Sequence, residues 1–217
     1  RALGEEDQRV VGVDRFEYSI VEEGRVPESL ARSWGAPRVA GRGYTILASR
    51  GSPDVFLRIV QAAPDAPPPE RRPSFGWSSL EFVVADLDAV RERLRQRGTE
   101  VFREPASLGP PFETIFAMQA KGPAAQTLNL TLDTADAERS NLPQARSLVD
   151  RLFLVGLNGP DLEALRAFYV GRLGMRGFPN YDQPVPSLAK ELGLPVTQVF
   201  PMALARAAQK GNTLEFH

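Results

Sequence analysis

The chain has no cysteine. Disulfides, thiolate nucleophiles and thiolate metal ligands are therefore excluded among these residues. Histidine is almost as scarce: His217 is the only one, so no Ser–His–Asp triad can be completed within this stretch. No apolar run approaches the roughly 20 residues needed to cross a bilayer. Neither sign of charge dominates. Lys plus Arg is 26 and Asp plus Glu is 27, a net charge of −1, which gives no reason to expect nucleic acid or an acidic membrane as partner. A glycine-rich phosphate loop is also missing. Residue 1 is Arg and no signal peptide is visible, so a cytoplasmic location is expected and the true start is expected to lie upstream.

What is present begins with Ser79 to Glu104. Leu80, Phe82 and Val84 alternate with Ser79, Glu81 and Val83, the period of a strand with two unlike faces. Asp86 and Asp88 suit a helix N-terminus. Leu87, Val90 and Leu94 then recur at helical spacing, and Gly98 stands where a left-handed C-cap belongs. The arginines of this helix read as a solvated face. Val101 and Phe102 open a second strand, which Pro105 is expected to end.

The same grammar covers the rest. Arg1 to Gly4 reads as the tail of a helix. Val10 to Val21 is expected to be a strand with one irregularity. Pro27 to Trp34 forms a short helix with Leu30 and Trp34 inward, and strands follow at 43–49 and 55–60. The proline-rich segment 62–73 is a linker. Strands are predicted at 113–119 and 127–132 around a Lys121–Gly122–Pro123 turn, and a polar linker at 133–146. After a strand region from Leu148, a helix starts near Asp161 with Leu162, Leu165, Phe168, Tyr169 and Leu173 as its buried stripe, and Gly174 stops it. A helix at 187–192 and strands at 198–205 and 213–217 complete the pattern. Segment 28–48 repeats at 186–206: Leu30 matches Leu188, Gly35 matches Gly193 and Pro37 matches Pro195, all 158 positions apart.

The stretches LEFVVADLDAVRERLRQRG (80–98) and DRLFLVGLNGPDLEALRAFYVGRLGM (150–175) resemble the vicinal oxygen chelate superfamily of glyoxalases, bleomycin-resistance proteins and extradiol dioxygenases. The resemblance implies an α+β fold of repeated βαβββ modules, with cupped, mostly antiparallel sheets and helices on the outer face. Modules would occupy 1–62 (its start missing), 78–133 and 148–217, with linkers at 63–77 and 134–147. A fourth would be expected beyond His217. Paired modules would each enclose a ligand cavity.

In such modules metal ligands come from the first strand, often His, and the last, usually Glu. The positions implied here are Ser79 and Asn129 in the second module, Arg151 and Glu215 in the third, and Phe56 or Arg58, according to register, in the first. Ser79 with Asn129 is not a competent pair for a divalent ion, and Arg151 would repel one. Glu81 should face the same way as Ser79, as a cavity acid or an ordinary surface glutamate. Glu215 and His217, two apart on a strand, share a face. They are either a remnant metal pair or a structural histidine beside an acid, and an Arg151–Glu215 ion pair in place of a metal is a further option.

The function expected is binding of a small, partly apolar molecule in a cup, with Phe56, Arg58, Ser79, Glu81, Asn129 and Arg151 as candidate ligand-binding residues and a homodimer as the assembly to consider. The alternative is a metal-dependent lyase or ring-cleaving dioxygenase using zinc, iron or manganese, completed by segments outside this stretch.

Overall fold

The computed structural model describes residues 13, 16–63, 65–66, 75–140, 142–208 and 212–217. The expected helix tail at 1–4 and most of the proline-rich linker lie outside these residues.

Two sheets organise the chain. The smaller has the order β1–β2–β3, from Ser19–Arg25, Gly43–Ala48 and Phe56–Val60, with helix α1 (Glu28–Ser33) between the first two strands. The strand expected at 10–21 is thus observed from Ser19 onward, where pairing with β2 begins. The larger sheet holds nine strands. Its second-module part is β4 (Gly76–Val84), helix α2 (Leu87–Gln96), β5 (Val101–Ser107), β6 (Ile115–Lys121) and β7 (Thr127–Asp133). The third-module part is β8 (Val149–Asn158), α3 (Leu162–Arg166), β9 (Arg176–Gly177), β10 (Tyr181–Pro184), α4 (Pro186–Glu191), β11 (Val199–Arg206) and β12 (Thr213–Phe216). Strand order is β10–β11–β12–β8–β4–β7–β6–β5, with β9 on β11. Only the β4–β7 and β8–β12 pairings are parallel. The two modules meet edge to edge through antiparallel β4 and β8, so they close one α+β cup. No described helix is long and apolar enough to cross a membrane.

Strand alternation sorts the side chains. Phe82, Val84, Met118, Leu128 and Leu130 are buried on the outer face, against Leu87, Val90 and Leu94 of α2 and Leu47 of the small sheet. Ser79, Glu81, Ala117, Gln119 and Asn129 face the cup. Helix α2 is capped by Asp86, whose carboxylate accepts from the Ala89 N–H at 2.9 Å, and stopped by Gly98 at φ +71°. Asp161 caps α3 the same way, accepting from the Ala164 N–H at 3.0 Å.

The 158-residue repeat is real in three dimensions. Ala31 and Ala189 are both fully buried in their helices, and Gly35 and Gly193 both take left-handed φ, at +66° and +68°. The small sheet is thus built like strands β10 to β12 of the cup. It is fastened to the cup by Asp150, which is fully buried. Its carboxylate accepts from the Ser49 hydroxyl at 2.8 Å and the Arg146 N–H at 2.7 Å, and its backbone carbonyl accepts from the Tyr18 hydroxyl.

Three local expectations are corrected. Pro105 does not end β5, which continues to Ser107. A proline is tolerated there because β5 is the edge strand and the pairing shifts between Arg103 and Ala106. Trp34 is not inward: it is 42% exposed, and Ala31 holds the inner face of α1. Phe168 and Leu173 are exposed, whereas Leu165, Tyr169 and Val170 pack on Phe216 and its neighbours. The cause is a π-helical turn over Ala167–Arg172, which widens the helix and breaks the 3.6-residue stripe.

Candidate functional site

The cup encloses a cavity of about 750 Å³. A row of polar side chains crosses its floor in register. Arg103 on β5 stands opposite Gln119 on β6, Gln119 opposite Asn129 on β7, and Asn129 opposite Glu81 on β4. Gln119 Nε2 donates to Asn129 Oδ1 at 2.9 Å, and its own Oε1 is buried without a hydrogen-bond partner. Thr131 Oγ1 donates to Glu81 Oε1 at 2.6 Å. Burial, then the nearby Glu215 charge, pushes the Glu81 carboxyl up to about 7, although the Thr131 bond opposes this.

Glu215 on β12 completes the acid pair. Tyr181 donates its hydroxyl to Glu215 Oε1 at 2.8 Å, and His217 Nε2 lies 3.2 Å from Oε2. Burial pushes the Glu215 carboxyl up, but the bond and charge of His217 together with the Tyr181 bond outweigh it and hold the group below its usual range. Burial and the Glu215 charge in turn push the Tyr181 phenol upward. The two acids therefore sit on opposite sides of the ordinary carboxylate value: Glu215 is ionised at neutrality, while Glu81 is near its titration midpoint there. His217 Nδ1 is buried with no hydrogen-bond partner. The Tyr181 and Phe112 rings meet edge-on at 6.2 Å, which joins the rims of the two modules.

The caps locate the equivalent positions in the two halves. Asp86 and Asp161 are 75 residues apart, and β4–β8 pairing sets Ser79 opposite Gly156 and Glu81 opposite Leu154. A shift of 75 takes Ser79 to Leu154 and Glu81 to Gly156, which reproduces that pairing. The third-module counterpart of Ser79 is therefore Leu154, not Arg151. Arg151 lines neither this cavity nor a second one. The Arg151–Glu215 ion pair is also corrected. Glu215 stands opposite Gly156, five residues along β8 from Arg151, roughly 16 Å at strand rise. Its partners are Tyr181 and His217.

In the first module the register selects Arg58 over Phe56. Arg58 stands opposite Ile46, as Glu215 stands opposite Leu204, and 46 and 204 differ by the repeat length of 158. Arg58 is outside the cup, lying over the Trp34 and Tyr44 rings at 5.6 and 5.4 Å. Phe56 lines the second cavity, of about 400 Å³, beside Leu152, Val155 and Leu214. The structure thus brings together Ser79, Glu81, Asn129, Glu215 and His217, and leaves Phe56, Arg58 and Arg151 elsewhere.

Arg103, Gln119 and Tyr181 are cup residues that the sequence does not single out. Val101 packs into the outer core, so strict alternation puts Arg103 outward too. A pairing irregularity between them turns Arg103 inward. Tyr181 sits in a four-residue strand with no apolar pattern to announce it.

Ser79, Leu154, Asn129 and Glu215, the four positions that would hold the superfamily's metal, offer one carboxylate, one amide, one hydroxyl and one hydrocarbon. That set does not fit a divalent ion. Among the described residues no three His, Asp or Glu side chains group in a way that could hold one.

No protein-family model matches the chain, and no curated protein matches it in sequence. Solved structures do match. Glyoxalase I from Zea mays superposes with a TM-score of 0.67 at 17% identity, covering 100% of this chain and 64% of the maize protein. A glyoxalase I mutant from the same plant gives 0.66 at 16%, with 100% and 65% covered. A Bacillus subtilis protein assigned as a dioxygenase gives 0.60 at 11%, with 99% and 59% covered. The chain has the vicinal oxygen chelate fold, and it spans about three-fifths of the length of these proteins.

Proposed function

We propose that the chain binds a small, partly apolar molecule in the cup between its second and third modules. The observation that carries this reading is the cavity itself. At about 750 Å³ it falls in the size range of small-molecule sites. Its lining is mixed: an apolar patch of Phe153, Leu154, Met202 and Leu204 adjoins the polar side chains of Ser79, Glu81, Gln119, Asn129, Tyr181 and Glu215. A metal-dependent lyase or dioxygenase reaction draws no support from the donors at the cup floor.

The test is titration with the neutral fluorophore N-phenyl-1-naphthylamine. Saturable enhancement is expected, and Ala117→Trp, which places an indole on the cup floor, should abolish it while the circular dichroism spectrum stays native. No enhancement, or enhancement indifferent to the tryptophan in a folded variant, would refute the reading.

A further inference from the structure

Arg103 is a cation turned into a cavity and given no counter-ion among the described residues. Its neighbour in sequence shows how this comes about. Glu104 lies on the outer side of β5, where Arg95 contacts it at 2.5 Å and Arg91 at 3.7 Å. The nearest acid in sequence is thus committed to helix α2. The pairing irregularity after Val101 turns Arg103 the other way, onto the cup wall beside Gln119. There its guanidinium makes no ion pair and no side-chain hydrogen bond with any described residue, and burial lowers its pKa from the ordinary arginine value. A partly desolvated guanidinium without a partner favours an anion strongly, because its fork of donors matches a carboxylate, sulfonate or phosphate.

The remaining charges of the cup fix the direction of such a guest. Glu81 is three strands away from Arg103 along the polar row, about 14 Å at ordinary strand spacing. An anionic head near Glu81 or Glu215 would meet carboxylates, while one at Arg103 is well clear of them. The apolar body is then left to the wall formed by Phe153, Leu154, Met202 and Leu204.

Resting on the small-molecule reading above, we infer that the natural ligand is an amphipathic organic anion, its charged head held by Arg103 and its apolar body laid across the patch of Phe153, Leu154, Met202 and Leu204. Arg103 is the specificity-determining residue of the cup.

The experiment compares two probes of similar shape, the anionic 1-anilinonaphthalene-8-sulfonate and the neutral N-phenyl-1-naphthylamine, on the parent chain, Arg103→Gln and Arg103→Lys. A charge-assisted contact of ordinary strength corresponds to about a ten-fold or greater change in affinity. Arg103→Gln should weaken the sulfonate by that factor and leave the neutral probe unchanged, with Arg103→Lys recovering part of the loss. If both probes bind the parent and Arg103→Gln changes neither, or weakens both equally, the inference is wrong while the small-molecule reading stands. If the parent binds neither probe, the small-molecule reading falls and the inference with it.

Discussion

Tyr181 on the rim strand β10 donates its hydroxyl to Glu215 on the floor strand β12, two strands away, at 2.8 Å. The bond ties the edge of the cup to its most ionised acid. Removing it in Tyr181→Phe takes a hydrogen bond from a charged group, which costs roughly 1.5–3 kcal/mol at pH 7. The folded Glu215 carboxyl titrates below its ordinary value, so its contribution to stability is present above the unfolded value of about 4.5 and disappears as pH falls. The deficit of Tyr181→Phe should therefore shrink as pH falls below about 4.5. Urea denaturation stepped downward from pH 7 follows the loss, and a deficit that stays constant down to the acid limit of the folded protein would exclude this role.

Glu81 predicts the opposite slope. Its carboxyl titrates near 4.5 when unfolded and about 7 when folded. Between those values the folded chain holds a proton that the unfolded chain has released, so stability falls as pH rises through the window. Glu81→Gln keeps an acceptor for Thr131 without the charge. It should match the parent near pH 4 and exceed it by roughly 1–3 kcal/mol at pH 8. Thermal melts of both proteins across this range would show the curves diverging with pH, and parallel curves would refute the assignment.

The junction at Asp150 predicts a coupled pair. Asp150→Ala leaves the Ser49 hydroxyl and the Arg146 N–H without their acceptor, at a cost of roughly 2–4 kcal/mol. A Cβ on Gly51 would lie 2.4 Å from Asp150 Oδ2, so Gly51→Ala should be destabilising in the parent and nearly neutral in Asp150→Ala. A double-mutant cycle by chemical denaturation checks this. Strictly additive losses would show that the crowding at Gly51 is not with Asp150.

Asp86→Ala removes the cap of α2 and should cost about 1 kcal/mol, with Asp86→Asn or Asp86→Ser recovering most of it. Equal losses in all three variants would point away from capping.

How much of this was readable from the residues depends on how local the cause is. Leu80, Phe82 and Val84 announced their outward face, and Ser79 and Glu81 the other, because a strand's period is fixed by backbone geometry. Gly98, Gly174 and the Leu30–Leu188 repeat were readable for the same reason. Arg151 stands out in the sequence as the counterpart of Ser79, but the equivalence is set by the caps at Asp86 and Asp161 and by the register of two strands far apart in sequence. Leu154 emerges only from that pairing. Arg103 was hidden by an irregularity in β5 that inverts its face, and Phe168 and Leu173 by an added residue in one helical turn. None of these leaves a mark in hydrophobic periodicity. The acid pair is half visible: Glu81 and Glu215 each stand out on their own strand, but their approach across the cup requires β4, β8 and β12 side by side.

Both outermost strands of the larger sheet carry a proline, Pro105 on β5 and Pro184 on β10. Each rim strand thus has one residue with no N–H to offer a neighbouring strand, and proline on an edge is one of the features that blunt it. A strand added at either end of the sheet would meet a residue that cannot donate to it. The proline expected only to stop a strand lies instead within the rim, where the sheet has no further strand for it to fail.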